Sequence, residues 1–250
     1  MERILHIKTD RGFMLKSFKY FLVGFCLAVA FSVRSFGAGP EELPAGPVEG
    51  PPRAVSIGPR PVEGAVKADT TWSGDILVAG DILVPAGVTL KVAPGTSVMF
   101  VSSESSKIEP AYLSMQTEIV VRGTLDVAGE TANPVRFGPA PEDVNTKRPE
   151  RGDWGGIIFD GPTASGSRIA NARFVQADTA IAAYNSSPTI TGCGFTDNRY
   201  GIVCMGKDAG PAIKGGSITA GEFGLLTAMG AKPRVEGCAI TNNQHDILSR

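Results

Sequence analysis

A repeat of about 22 residues constrains this chain more than any other feature. Counted from its first aliphatic residue, each unit starts at Ile169, Ile190, Ile213 or Val235, giving spacings of 21, 23 and 22 residues. Five residues after each start stands Phe174, Phe195, Ile218 or Ile240, and twelve after it Ile181, Ile202, Leu225 or Ile247. A fixed period of this size signals stacked supersecondary units, none of which buries its apolar face alone.

Asn171, Gly192, Gly215 and Gly237 share the third position of the unit, and Ala177, Asn198, Gly221 and Asn243 the ninth. Asn and Gly enter the left-handed backbone region cheaply, so both positions are expected to turn sharp corners. Pro188, Pro211 and Pro233 fix the entry to the strand that follows. Short apolar segments between recurring corners predict an all-β fold, a right-handed parallel β-helix with coils of about 22 residues. A left-handed hexapeptide helix would need a six-residue aliphatic period. Leucine-rich and helical repeats fit poorly with the Gly, Thr and Asn content. Upstream, Gly74-Asp75-Ile76-Leu77-Val78 recurs as Gly80-Asp81-Ile82-Leu83-Val84, and alternation runs on through Val88, Leu90, Val92, Val98 and Phe100.

These residues also carry a resemblance. Trp72-Ser73-Gly74-Asp75-Ile76 through Val84-Pro85-Ala86-Gly87-Val88-Thr89-Leu90 to Pro94-Gly95-Thr96 is similar to the opening of many secreted bacterial right-handed parallel β-helix repeat proteins. Trp154-Gly155-Gly156-Ile157 and the run from Pro188 to Ile202 follow the same pattern. The resemblance spans residues 72–250 and implies the fold. The family is functionally mixed, so it carries over no catalytic residues.

Ahead of the repeat, Arg11, Lys16 and Lys19 precede an apolar run from Tyr20 to Val33, and Ser35-Phe36-Gly37 supplies small residues for cleavage. This predicts a signal peptide over 1–37, an extracytoplasmic protein (periplasm, cell surface or secreted), and no membrane span after cleavage. An uncleaved N-terminal anchor is the competing reading. Residues 38–70 hold seven prolines between Pro40 and Pro61 and read as a disordered linker. The β-helix domain is then expected over 71–250. Without the signal, 18 basic residues face 23 acidic ones, a balance that argues against a nucleic-acid partner.

Three cysteines remain in the mature chain. Cys193 and Cys238 share a coil position two coils apart, roughly 9–10 Å at the strand spacing of a sheet. A disulfide needs Cα atoms within about 7 Å, so the pair should stay free. Cys204 falls on another wall, and all three read as small core residues. With one histidine left and no close Cys spacing, no metal site is expected.

The tenth position reads Asp178, Arg199, Glu222 and Gln244, the eleventh Thr179, Tyr200, Phe223 and His245. Stacking should place Arg199 between two carboxylates and line the rings into a column. As structure, this is a sign-alternating ladder, each exposed pair worth at most about 1 kcal/mol. As function, Arg199, Tyr200, Glu222 and Phe223 offer charge beside aromatic platforms that would hold a sugar chain. Two excursions, residues 102–117 and 138–153, are longer than ordinary connections, and Trp154 after the second joins the candidate ligand contacts.

Glycoside hydrolysis needs two acids across the scissile bond. The Asn-Thr-Asp, Asp-Asp, Gly-His-Gly and Arg-Ile-Lys runs by which hydrolases of this fold resemble one another are absent. The sequence therefore favours a non-catalytic glycan-binding or structural module, with no cofactor. A polysaccharide lyase or glycoside hydrolase with an unrecognised site is the alternative, and Ca²⁺ enters only if it is a lyase. A third reading is association with another protein or a second copy through the final coil, whose Ile247 lies three residues from Arg250.

Overall fold

The computed structural model describes residues 61–102, 115–141 and 151–250. The predicted signal, most of the predicted linker and most of the two long excursions lie outside the described residues. Within them the chain passes seven times round three walls. The first wall stacks Thr70–Trp72, Thr89–Val92, Thr124–Ala128, Arg168–Ala170, Thr189–Thr191, Ala212–Lys214 and Arg234–Glu236. The second stacks Ser97–Phe100, Val135–Pro139, Ala172–Val175, Gly194–Thr196, Ser217–Thr219 and Ala239–Ile240. The third stacks Glu118–Val121, Trp154–Asp160, Ala177–Tyr184, Tyr200–Met205, Phe223–Ala228 and His245–Ser249. The long strand Asp75–Val84 opens both the second and third walls, its first half pairing with Ser97–Phe100 and its second with Glu118–Val121. Strands pair in parallel from coil to coil, as in Ile169 beside Ile190 and Ile202 beside Leu225.

Parallel register turns the repeat into three inward columns. The first wall contributes Trp72, Val92, Val127, Ile169, Ile190, Ile213 and Val235. The second contributes Ile76, Val98, Phe137, Phe174, Phe195, Ile218 and Ile240, with Phe137, Phe174 and Phe195 stacked at centroid distances of 4.9 Å. The third contributes Ile82, Ile119, Ile157, Ile181, Ile202, Leu225 and Ile247. Each fully buried side chain of this size is worth about 1.5–3 kcal/mol of apolar transfer. The twenty-two-residue period is hidden upstream because the excursions separate the second wall from the third in the second and third coils.

The third position turns as predicted, with φ of 45° at Asn171, 63° at Gly192, 61° at Gly215 and 66° at Gly237. At Gly192 a Cβ would also meet Asn171 Oδ1 at 2.6 Å, so space as well as conformation favours glycine there. The ninth position does not turn. The left-handed residue is one place earlier, at Gln176, Asp197, Ala220 and Asn242. At two of the four coils the ninth position instead carries a side-chain amide that bonds the backbone, buried at Asn198 and half-buried at Asn243. Asn198 Nδ2 donates to Phe174 O and its Oδ1 accepts from Ala177 N, and Asn243 makes the matching bonds to Ile218 O and from Gly221 N. The side chain satisfies backbone groups that the corner leaves without ladder partners.

Residues 61–65, which the sequence reading assigns to the linker, are part of the β-helix sheet. Pro61–Ala65 is a strand paired with Asp75–Val84, and Val62 and Val66 pack on the core. Proline is tolerated as the first residue of an edge strand, which is why linker-like composition concealed it. At the other end, Val235 is 40 % and Ile247 61 % exposed, against 1 % for Ile213 one coil earlier.

Candidate functional site

On the third wall, side chains alternate about the inward Ile202 and Cys204, so Val203 and Met205 face outward. Register places Ile158, Ala182, Val203 and Leu226 in one outer column and Tyr184 beside Met205 in the next. Tyr184, Tyr200, Met205 and Leu226 pack against buried Ile158, Ala182 and Val203, forming an apolar cluster separate from the interior core. A charged row borders it. Arg199 Nη1 donates to Asp178 Oδ1 at 3.2 Å, and Arg199 Nε lies 3.6 Å from Glu222 Oε2. The hydrogen bond that Arg199 donates to Asp178 is the main cause that raises its pKa above the ordinary value, with the Asp178 charge adding to it. Asp178, Thr179, Arg199, Tyr200, Val203, Met205 and Leu226 line a recess of about 270 Å³.

Four of the five residues singled out from sequence therefore stand on one face. Arg199, Tyr200, Glu222 and Phe223 sit at neighbouring rungs, but the rings do not form the open platforms expected. Tyr200 and Phe223 stack at 4.9 Å with planes 8° apart, and Phe223 and His245 at 4.9 Å and 19°. The Arg199 guanidinium carbon lies 5.3 Å from the Tyr200 ring centre. Both faces of Phe223 are spent on its neighbours, and the ladder offers ring edges outward. The signal for Val203, Met205 and Leu226, missed in the sequence, is the period of two that follows each inward residue.

Trp154 belongs elsewhere. It is 0 % exposed, stacks on Phe100 at 4.2 Å and donates from Nε1 to Val175 O at 2.8 Å. It is a core residue and touches no ligand surface. The end of the second excursion is tied down instead by Arg151, whose Nη2 donates to Asp197 Oδ1 and to Ala220 O, both at 2.9 Å.

Cys193, Cys204 and Cys238 are free. Burial pushes the Cys193 thiol up to about 11 and the Cys204 thiol up to about 12, and it raises Cys238 as well. Among the described residues no group of three or more His, Cys, Asp or Glu side chains is placed to hold a metal ion. No helix among them is long and apolar enough to cross a membrane.

Residues 155–249 match the family model described as a right handed beta helix region. The described residues have the fold that this family model describes, a right-handed parallel β-helix. No curated protein and no solved structure matches the chain. The β-helix places its candidate site on the outer face of the third wall, where the longest strands lie in a continuous sheet.

Proposed function

We propose that this β-helix is an exported, non-catalytic glycan-binding module that holds a sugar chain against the third wall. The recess carries the proposal. It joins an apolar floor of Val203, Met205 and Leu226 and the edge of Tyr200 to the charged rim of Asp178 and Arg199. A pyranose ring has the matching chemistry, with C–H faces for the floor and hydroxyls for charge-assisted hydrogen bonds at the rim. Export rests on the basic residues, apolar run and small residues between Arg11 and Gly37.

The same geometry argues against glycosidic cleavage. Asp178 and Glu222 stand two coils apart, about 9–10 Å along the wall, with the Arg199 side chain between them. A bond to be cleaved would have to lie where the guanidinium lies, and both carboxylates are engaged with it.

The test is a panel of immobilised polysaccharides with the full chain, with and without Ca²⁺, scored for retention and for new reducing or unsaturated ends. Retention without new ends is expected, weakened in Arg199→Ala and Tyr200→Ala. New chain ends would replace this reading with an enzyme.

A further inference from the structure

Outer columns of the β-helix pair their charges by sign. Lys91, Asp126 and Arg168 alternate on the first wall. Lys214 Nζ lies 3.6 Å from Glu236 Oε2 one coil on. On the third wall Arg122 pairs with Asp160 at 2.8 Å, and Asp178, Arg199 and Glu222 alternate. The second wall breaks this rule. Arg136 and Arg173 stand directly opposite one another on adjacent strands, flanked in their column by Ser97 and Gly194. Like charges directly opposite on neighbouring strands repel.

Arg173 is fixed in place. A Cβ on Gly194 would meet its Cδ at 3.0 Å, so its stem lies over that glycine, and Nη1 donates to Ala172 O and Gly192 O at 3.3 and 3.2 Å. Among the described residues Nε and Nη2 have no acceptor. Arg136 is exposed, with no carboxylate beside it among the described residues. Next to the two arginines runs a groove of about 510 Å³, floored by Met99, Gly138, Pro139 and Val175. The Val175 side chain lies over Gly138, where a Cβ would meet its Cγ2 at 2.7 Å, so the glycine lets Val175 lie down as part of the groove. No acidic residue lines the groove among the described residues.

We infer that Arg136, Arg173 and this groove form a binding site for a small amphipathic carboxylate, an acid with an aliphatic or aromatic body. The carboxylate bridges the two guanidinium groups and relieves their repulsion, while the body lies on the floor beside Met99 and Val175. A bare anion leaves the floor uncovered, and a neutral apolar molecule leaves the arginines unpaired. The site is on a different wall from the glycan recess and stands or falls independently of it.

Sodium octanoate titrated into the full chain by calorimetry tests the site, with sodium acetate and octan-1-ol as controls. Octanoate should bind one to one, and acetate and octanol at least about tenfold more weakly, as for loss of a charge-assisted contact or of the buried body. Arg136→Gln should weaken octanoate by at least about tenfold with the melting temperature unchanged, and rising salt should weaken it in wild type. Arg173→Gln should show the same loss, with its melting temperature read in parallel. Absence of octanoate binding, equal binding of octanol, or unchanged affinity in Arg136→Gln overturns the proposal. Glu142 and Asp143 follow the groove residue Pro141 in sequence. If octanoate binds only to the Glu142→Gln/Asp143→Asn chain and not to wild type, the arginines serve the protein's own carboxylates and the proposal is likewise overturned.

Discussion

Two aromatic ladders run along this β-helix with the same spacing. Phe137, Phe174 and Phe195 stack inside the second wall at 4.9 Å, and Tyr200, Phe223 and His245 stack outside the third at 4.9 Å. The inner rings are at most 1 % exposed, the outer ones half-buried or exposed. Parallel register alone sets the spacing, since neighbouring strands lie about 4.8 Å apart wherever they pair. A stack of rings is therefore no evidence of function in a solenoid. What distinguishes the ladders is what surrounds them, core on one side and on the other a charged row and an apolar recess.

The comparison breaks first on stability. Phe174→Ala should cost about 3–5 kcal/mol by chemical denaturation, because it opens a cavity between two buried rings. Phe223→Ala, with solvent at its edge, should cost about 1 kcal/mol or less beyond the lost stacking. Equal losses would make the outer ladder as structural as the inner. The same contrast sharpens along the stack. Ile202→Ala should cost about 2–5 kcal/mol, while Ile247→Ala, its counterpart two coils on and 61 % exposed, should cost well under half of that.

Asn198→Ala should cost about 1–3 kcal/mol, since it strands Phe174 O and the Ala177 N–H in a buried corner. Raised thiol pKa values add a pH effect inside the coil. Cys193 and Cys204 stay protonated in the folded chain up to about 11 and about 12, above the ordinary 9.0. The unfolded chain releases these protons first, so stability is full below pH 9 and falls as pH rises from there toward the folded values. Denaturation midpoints should decline over that window, and the decline should flatten in Cys193→Ala/Cys204→Ala. Smallest of all, Arg199→Ala should change stability by at most about 1 kcal/mol, because its ion pairs are half exposed.

How far the sequence revealed these regions follows from the range of the interactions. The three inward columns could be read from Ile169 onward because each residue's neighbour stands one period away. The charged row at Asp178, Arg199 and Glu222 was legible for the same reason. Trp154 was misread because its partner is Phe100, which no repeat relates to it, and because Gly155 and Gly156 interrupt the alternation that assigns faces. The strand Pro61–Ala65 was hidden by a Pro-Val-Glu-Gly composition shared with Pro47–Gly50. At the second corner, composition marked Asn198 and Asn243 correctly as special residues. Their side-chain amides do the work there, and the left-handed backbone belongs to the residue before each. The recess itself escaped notice because an outward Val203 or Leu226 looks in sequence like one more core residue.

The central claim is that the outer face of the third wall serves a ligand while the inner columns serve the fold. Tyr200→Ala tests it most directly, with glycan retention and melting temperature measured on the same preparation. The account predicts a melting temperature within a few degrees of wild type, as expected for about 1 kcal/mol in a domain of this size, together with a clear loss of retention. Unchanged retention, or a collapse in melting temperature comparable to that of Phe174→Ala, would contradict it.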